Sequence, residues 1–202
     1  NTEPEWSKQR NMDFTPSPFK NLGLFENSSM LSSKLKTKIT VKTAGIYELK
    51  EENTGGANLF LNFLENDIIK FVEKKYPNLN KRRGLLGHSF GGLFGFYALQ
   101  NRPDLFQDLL LISAAISWNS SELINTEKFT KLKESKNKIK LYHSYGEKEI
   151  RATRTSNNNL SKIITELELR NLSYKFDPIE NTNHHSVLSR AIYDGLLYLY
   201  KK

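Results

Sequence analysis

Hydrophobic residues follow a helical period in one long segment, residues 57–76. They recur at spacings of three and four along ANLFLNFLENDIIKFVEKKY, and Pro77 ends the pattern. This spacing predicts an amphipathic helix that packs one apolar stripe against a sheet. The stripe consists of Leu59, Phe60, Phe63, Leu64, Ile68, Phe71 and Val72.

Beyond Pro77, short apolar runs alternate with helical periods. The run GLL is followed by a glycine-rich turn and a helical segment, in which Gly92 and Gly95 predict close packing on the sheet. Strands that alternate with helices predict a mostly parallel sheet with helices on both faces. The further predicted strands are 108–117, 138–146 and 173–180, and the further predicted helices are 160–172 and 186–202.

The first part of the chain has weaker patterns. Residues 1–40 mix Pro, Ser, Asn and Lys around isolated aromatic residues, which predicts a long surface loop. Residues 38–49 contain a short β-branched run and a glycine, which predicts a small hairpin or the rim of a pocket. We therefore interpret residues 1–202 as a single domain in which residues 20–54 form a variable loop or rim region.

Composition excludes several classes of protein. With 202 residues and no cysteine, the chain fits one domain that holds neither disulfides nor a thiolate zinc site, and we expect no metal or other cofactor. No apolar run approaches the roughly 18 to 20 residues that cross a bilayer, and NTEPEWSKQR does not resemble a signal peptide, so the localisation stays open. The net charge of +8 comes from dispersed Lys and Arg, which favours solubility over nucleic-acid binding.

The turn at residues 87–91 carries the candidate nucleophile, Ser89, in a G-x-S-x-G pattern. In a nucleophile elbow the strained serine brings neighbouring backbone close, so small residues are expected on both sides, here Gly87 and Gly91. The N–H of Phe90, at the start of the following helix, would donate to an oxyanion. A phosphate-cradling turn is the alternative, but no Lys-Ser or Lys-Thr follows the glycines.

A serine nucleophile needs an imidazole to take its proton and an acid to orient that imidazole. In folds that carry a nucleophile elbow between a strand and a helix, the triad residues follow in the chain order Ser, acid, His. Of the four histidines, only His184 and His185 lie between the last predicted strand and the last predicted helix. The base is therefore expected from this pair. His88 lies within the elbow and His143 within a strand, and both are interpreted as structural.

The acid is expected in the turn after the strand that ends at Gly146, because that turn lies at the edge of the sheet facing the nucleophile. Glu147 and Glu149 both lie there, and Glu149 is favoured because it stands three residues after the glycine. Asp177 in the next strand and Asp194 in the closing helix are weaker candidates.

Blocks along nearly the whole chain resemble one branch of the α/β-hydrolases, the esterases related to siderophore (enterobactin-type) esterases and S-formylglutathione hydrolases. In this group a His-x-Ser-Val block supplies the base, which implies His184, with His185 where a small residue is usual. The acid turn varies in the group, so Glu149 and Glu147 both stay open. The blocks are RNMDFTPSPF, GGANLFLNFLENDIIKFVEKKYP, GLLGHSFGGLFGFYAL, ISAAISWN and NHHSV before YDGLLYLY.

The resemblance implies hydrolysis of a small-molecule carboxylic ester or thioester. Ser89 would attack the carbonyl, His184 would act as base and then acid, and Glu149 would orient the imidazole. Trp118 would line the pocket for the acyl or alcohol group, with burial in the core as an equal alternative. A non-catalytic module that binds a ligand on the same fold is the alternative function.

An α/β-hydrolase has strands before the elbow strand, and the loop after one of them donates a second oxyanion N–H. The residues before Ser89 contain no pattern for such strands. We therefore expect residues 1–202 to be the C-terminal part of a longer protein. The sheet edge beside GLL would then be open, which favours a homodimer.

Overall fold

The computed structural model describes residues 5–20 and 49–201. The hairpin predicted for residues 38–49, apart from residue 49, and most of the rim region 20–54 lie outside these residues. None of the helices in the described ranges combines the length and the hydropathy that a bilayer-spanning helix needs.

In the part of the chain that the structure describes, the core of the fold is a four-stranded sheet in which every neighbouring pair is parallel. The strands lie side by side in chain order, so each crossover adds the next strand at the same side of the sheet. Parallel strands place all their C-terminal ends at one edge, where the turns that follow them meet. The strands are β1 (Gly84–His88), β2 (Asp108–Ile112), β3 (Ile139–Gly146) and β4 (Leu172–Ile179).

Eight α-helical segments surround the sheet in the described residues. A π-helical segment, Leu64–Ile68, joins the second helix to the third, and short 3-10 turns lie at Glu51–Asn53 and Thr126–Phe129. The helices are α1 (Glu5–Phe14), α2 (Ala57–Phe63), α3 (Ile69–Lys75), α4 (Phe90–Asn101), α5 (Trp118–Ser121), α6 (Thr130–Glu134), α7 (Arg151–Glu166) and α8 (Val187–Tyr200).

Side chains alternate across β2 and define two apolar layers. Leu109 and Leu111 point into a large core that also contains residues of α2, α4, α6 and α7. Leu110 and Ile112 point to the opposite face, where α8 covers them. Right-handed crossovers that all advance in one direction place their helices on the same face. The predicted parallel sheet with helices on both faces is therefore confirmed, with α8 covering the second face.

The predicted loop over residues 1–40 is wrong for α1. Its sequence, EWSKQRNMDF, has no apolar stripe, because the side chains that it buries, Ser7 and Asn11, are polar. The helix is fixed at its end, where the ring of Phe14 packs against Phe60 and Phe94 with centroids 5.6 and 5.8 Å apart. Tertiary packing therefore decides a helix that hydrophobic periodicity does not indicate.

Helix α7 begins at Arg151, nine residues before the predicted start at residue 160. Its first half is polar, and the side chains that it buries there include Thr153, Ser156 and Asn157. Asn157 is held in the core by hydrogen bonds instead of apolar contacts. Its Nδ2 donates to the carbonyl of Ala114 at 2.9 Å. A helix that satisfies its buried face with polar groups gives no apolar signal in the sequence.

The apolar stripe predicted for residues 57–76 only partly faces the core. Phe60 and Leu64 pack against it, whereas Leu59 is 72% exposed and Phe71 is 60% exposed. The π-helical segment Leu64–Ile68 changes the angular phase of the helix, so residues before and after it do not share one face.

Helix α4 approaches the sheet as closely as its glycines predict. A Cβ on Gly95 would lie 2.3 Å from Cδ2 of Leu111, and a Cβ on Gly92 would lie 2.9 Å from Cα of Ala114. Neither position has room for a side chain without movement of its neighbours, which offsets the cost of glycine within a helix.

Candidate active site

Ser89 occupies the strained backbone position between β1 and α4. Its φ of 59° and ψ of −117° are unusual for a residue other than glycine. The surrounding structure holds this conformation, because the Ser89 N–H donates to Ile112 O at 3.0 Å and its carbonyl accepts from Ala115 N at 3.1 Å. Backbone strain of this kind persists only where neighbouring contacts enforce it, and it concentrates at functional sites.

The two glycines of the elbow have different roles. A Cβ on Gly87 would lie 2.2 Å from the carbonyl oxygen of Gly91, so only glycine fits at residue 87. A Cβ on Gly91 would meet nothing within 4 Å among the described residues. The expectation that both positions require a small residue is therefore correct for Gly87 and wrong for Gly91.

His184 lies in the loop between β4 and α8, where its Nδ1 is 2.8 Å from Oε2 of Glu149. Glu149 lies in the turn after β3, and its side chain is only 1% exposed. Its other oxygen, Oε1, accepts hydrogen bonds from Ser113 Oγ and, at 3.0 Å, from the N–H of Gly146. The carboxylate therefore has a partner on each oxygen, and one of those partners is the imidazole.

The surroundings of Glu149 favour its charged form. Burial raises the pKa of Glu149, but the hydrogen bonds from His184, Ser113 and Gly146 outweigh it and hold that pKa below its usual range. An ionised carboxylate accepts a hydrogen bond from an N–H group at Nδ1 of His184, and in that tautomer Nε2 carries the free lone pair. That tautomer is the one a general base requires.

The other candidates for the acid and base lie elsewhere. Glu147 is exposed at the same turn, and His185 is exposed beside His184, with their rings edge to face at 5.5 Å. Asp177 accepts from the hydroxyl of Tyr142 at 2.6 Å. Asp194 accepts from Nε of Arg190 at 2.6 Å. The structure thus brings Glu149, of these carboxylates, to His184.

His143 is part of the core. Its Nε2 pairs with Asn157 Oδ1 at 2.7 Å and its Nδ1 with the hydroxyl of Tyr174 at 2.9 Å. Burial lowers its pKa to about 4, so the ring is neutral at pH 7. Both nitrogens are therefore used within the core, in agreement with a structural role.

The nucleophile and the base approach each other through the residue next to Ser89. The rings of His88 and His184 have centroids 4.5 Å apart, and Nε2 of His88 is 2.9 Å from the His184 carbonyl oxygen. Within the described residues the structure thus joins the acid to the base by a hydrogen bond, and it joins the elbow to the base through His88. Hydrogen bonds between catalytic groups often tighten only in the complex with substrate.

Trp118 and Phe90 pack against each other beside the elbow. Trp118 is only 4% exposed, its Nε1 donates to the carbonyl of Ser17 at 3.2 Å, and its ring meets Phe90 edge-on at 5.4 Å. Phe90 is the first residue of α4, so its N–H has no acceptor within the helix. The pocket role of Trp118 and the oxyanion role of Phe90 both stay predictions.

Two residues that sequence patterns did not single out support the acid and the base. Ser113 follows β2 with a φ of 48° and hydrogen bonds to Glu149. Asn183 accepts the backbone N–H groups of His185 and Ser186 at 3.0 Å each and so shapes the loop that carries His184. Sheet topology could have indicated Ser113, because the turn after β2 lies between those after β1 and β3.

The fold and this arrangement define an α/β-hydrolase with a serine elbow. The chain belongs to the family described as "Putative esterase", whose model matches residues 31–192. It is similar to the ferri-bacillibactin esterase BesA of Bacillus subtilis, with 31% identity over 147 residues that cover 68% of this chain and 51% of BesA. The chain thus spans about half the length of this relative.

Two solved structures share the fold over almost the whole chain. The BES protein from Bacillus cereus superimposes with a TM-score of 0.76 and 26% identity, covering 96% of this chain and 66% of that one. The siderophore hydrolase EstA from Aspergillus nidulans gives a TM-score of 0.68 and 26% identity, covering 98% of this chain and 68% of that one.

Proposed function

We propose that this chain is a serine esterase that hydrolyses a carboxylic ester through an acyl-enzyme on Ser89. The observation that carries the proposal is the hydrogen bond from His184 to the buried carboxylate of Glu149, at the same sheet edge as the strained Ser89. His184 Nε2 takes the hydroxyl proton as Ser89 attacks the carbonyl and later gives it to the leaving group. Water, activated by His184, then attacks the acyl carbon, and His184 returns the proton to Ser89 as the acid product leaves.

The developing oxyanion is stabilised by the N–H of Phe90, aided by the dipole of α4. Glu149 orients the imidazole and stabilises the imidazolium that forms when His184 accepts the proton. Trp118, which packs on Phe90, supports the wall of the acyl or alcohol pocket next to the elbow.

The substrate class is a siderophore ester. This proposal rests on the family and on two relatives whose names describe siderophore or ferri-bacillibactin hydrolysis. Binding of nucleic acid is disfavoured, because the partly buried arginines beside the sheet are already paired with acids, as in Arg82 with Asp108 and Arg83 with Glu73. A screen of siderophore esters against acylated sugars, thioesters and simple aryl esters tests the class.

The esterase proposal is tested with a fluorophosphonate probe and p-nitrophenyl acetate. We expect the probe to label wild-type protein at Ser89, and Ser89→Ala to lose both labelling and ester hydrolysis by several orders of magnitude. Asn183, Glu149 and the fold remain intact in that variant, so a folded Ser89→Ala protein with most of its activity would refute the mechanism. Unlabelled, inactive wild-type protein would instead favour a ligand-binding module.

We also propose that residues 1–202 self-associate through the open edge of β1. Leu86 of β1 is 50% exposed, and Leu196 and Leu197 of α8 are exposed on the same face of the sheet. In the described residues no strand pairs with the outer side of β1, so its backbone groups can pair with a second copy. Light scattering should show a dimer for residues 1–202 that Leu86→Lys converts to a monomer, whereas a monomeric wild-type chain would oppose the proposal.

A further inference from the structure

We infer that His88, the residue before the nucleophile, is a positioning residue for the base: it binds the backbone of His184 and packs against its ring. The inference rests on the proposed function of Ser89 and His184. It assigns a role in the reaction to a histidine that sequence position indicates to be merely structural.

The contact has a defined polarity. Nε2 of His88 lies 2.9 Å from the carbonyl oxygen of His184, and a carbonyl oxygen can only accept, so Nε2 carries the proton and donates. The two residues are 96 positions apart in the chain, and this bond ties the turn after β1 to the loop after β4. The nucleophile and the base are thus carried by two segments that His88 joins directly.

His184 needs such a tie because the hydrogen bonds by which Asn183 shapes the loop go to His185 and Ser186 and do not involve His184 itself. The residues on both sides, Asn183 and His185, are exposed, and the His184 side chain is 38% exposed. Glu149 fixes Nδ1 of the imidazole, but a single hydrogen bond leaves the ring free to tilt about it. The ring of His88, at a centroid distance of 4.5 Å and an angle of 42°, restricts that tilt from one side.

The elbow is a rigid base for this contact. Ser89 next to His88 is held in its strained conformation by hydrogen bonds to the end of β2 and the residues that follow. His88 belongs to the same rigid turn as the nucleophile. Its hydrogen bond to the His184 carbonyl and its ring contact therefore set the distance and angle between nucleophile and base. Small errors in such geometry lower turnover strongly.

The environment also keeps His88 uncharged. Burial, and next the positive charge of His184 when that ring is protonated, lower the pKa of His88. A neutral His88 still donates through Nε2, and it does not place a second positive charge beside the imidazolium that forms during the reaction. A lysine or arginine at residue 88 would donate equally well but would oppose that imidazolium.

Three variants at residue 88 separate the parts of this contact. His88→Gln keeps an N–H donor of similar reach, His88→Phe keeps a ring without a donor, and His88→Leu removes both. We expect His88→Leu to lower kcat for p-nitrophenyl acetate about tenfold with KM within about twofold, since the loss is one of alignment rather than binding. His88→Gln should recover most of that loss. Rates are divided by the concentration of sites that a fluorophosphonate titrates, so partial unfolding does not count as lower kcat.

The outcomes distinguish this inference from the proposed function. A His88→Leu protein with unchanged kcat, a raised KM with unchanged kcat, or equal losses in the Leu and Gln variants would each overturn the role of His88. If Ser89→Ala hydrolyses the ester as fast as wild type, the proposed function fails whatever His88 does. A histidine nitrogen–proton NMR spectrum of the wild-type protein checks the contact without activity: a proton on Nδ1 alone of His88 would contradict it.

Discussion

Replacement of Glu149 by glutamine is the sharpest test of the site, because it changes one oxygen to an NH2 group and leaves the shape intact. The carboxylate accepts on both oxygens, from His184 at Oε2 and from Ser113 and Gly146 at Oε1. The glutamine amide satisfies the two donors at Oε1 only with its carbonyl oxygen. Its NH2 group then faces Nδ1 of His184.

That orientation reverses the imidazole. Nδ1 of His184 must accept from the NH2 group, so the proton moves to Nε2, and Nε2 can no longer take the proton of Ser89. An acid-to-amide change that selects the wrong tautomer lowers kcat by about 10⁴ in a serine hydrolase, which is about 5.5 kcal/mol at 1.36 kcal/mol per tenfold. We therefore expect Glu149→Gln to lower kcat by roughly 10³-fold or more.

Glu147→Gln is the matched control, since Glu147 lies in the same turn but is exposed to solvent. Its kcat should stay within about twofold of wild type, as for surface substitutions generally. The assay is hydrolysis of p-nitrophenyl acetate, with circular dichroism to confirm that each variant is folded. If a folded Glu149→Gln protein keeps kcat within tenfold of wild type, or if both variants lose equally, the assignment of the acid is wrong.

Three further predictions concern the elbow, the acid and the core. Gly87→Ala should destabilise the fold by roughly 1–3 kcal/mol, because its Cβ would lie 2.2 Å from the Gly91 carbonyl oxygen. Gly91→Ala is the control and should be tolerated. Urea unfolding measures both variants, and equal unfolding midpoints would refute the packing argument. Ser113→Ala should lower kcat by roughly tenfold, since Glu149 loses a donor to its charged form; an unchanged rate would contradict the contact. The free energy of unfolding should fall as pH is lowered from 6.5 to about 4. In this interval His143 binds a proton in the unfolded chain, whereas burial keeps the ring neutral in the folded protein. His143→Gln should lose less stability over this interval, and identical pH profiles would exclude His143 as the cause.

The parts of the fold that rest on apolar runs were predictable from the sequence. β2 and β3 are buried on both faces, and an apolar run indicates β2 most clearly. The predicted strand 138–146 matches β3 to within one residue, whereas the predicted strand 108–117 overruns β2 by five residues. The overrun occurs because Ser113 turns away with a positive φ, which an apolar run does not reveal. Elements with polar buried faces, α1 and the first half of α7, were not predictable from periodicity.

The site was predictable where chain order and local geometry fix it. The elbow follows from two glycines and a serine between a strand and a helix, and the loop of His184 follows from its place before the last helix. The separation of Glu149 from Glu147 depends on the turn closed by the bond from Glu149 N to Gly146 O at 3.0 Å, which buries one side chain and exposes the other. A contact such as that of His88 with the His184 carbonyl joins segments 96 residues apart, and no local pattern encodes it.

The order of strands in the sheet, β1 to β4 in chain order, bears on how the protein is made. Each new strand pairs with the one synthesised just before it, so the sheet can grow from β1 outwards as the chain leaves the ribosome, without waiting for a distant segment. The segment that carries His184 comes after β4, and α8 must dock on the second face to hold it beside the elbow. A nascent chain that has folded as far as β4 therefore holds Ser89 and Glu149 in place but has no base. We expect ribosome-bound chains arrested before residue 184 to resist fluorophosphonate labelling, and chains released after α8 to react.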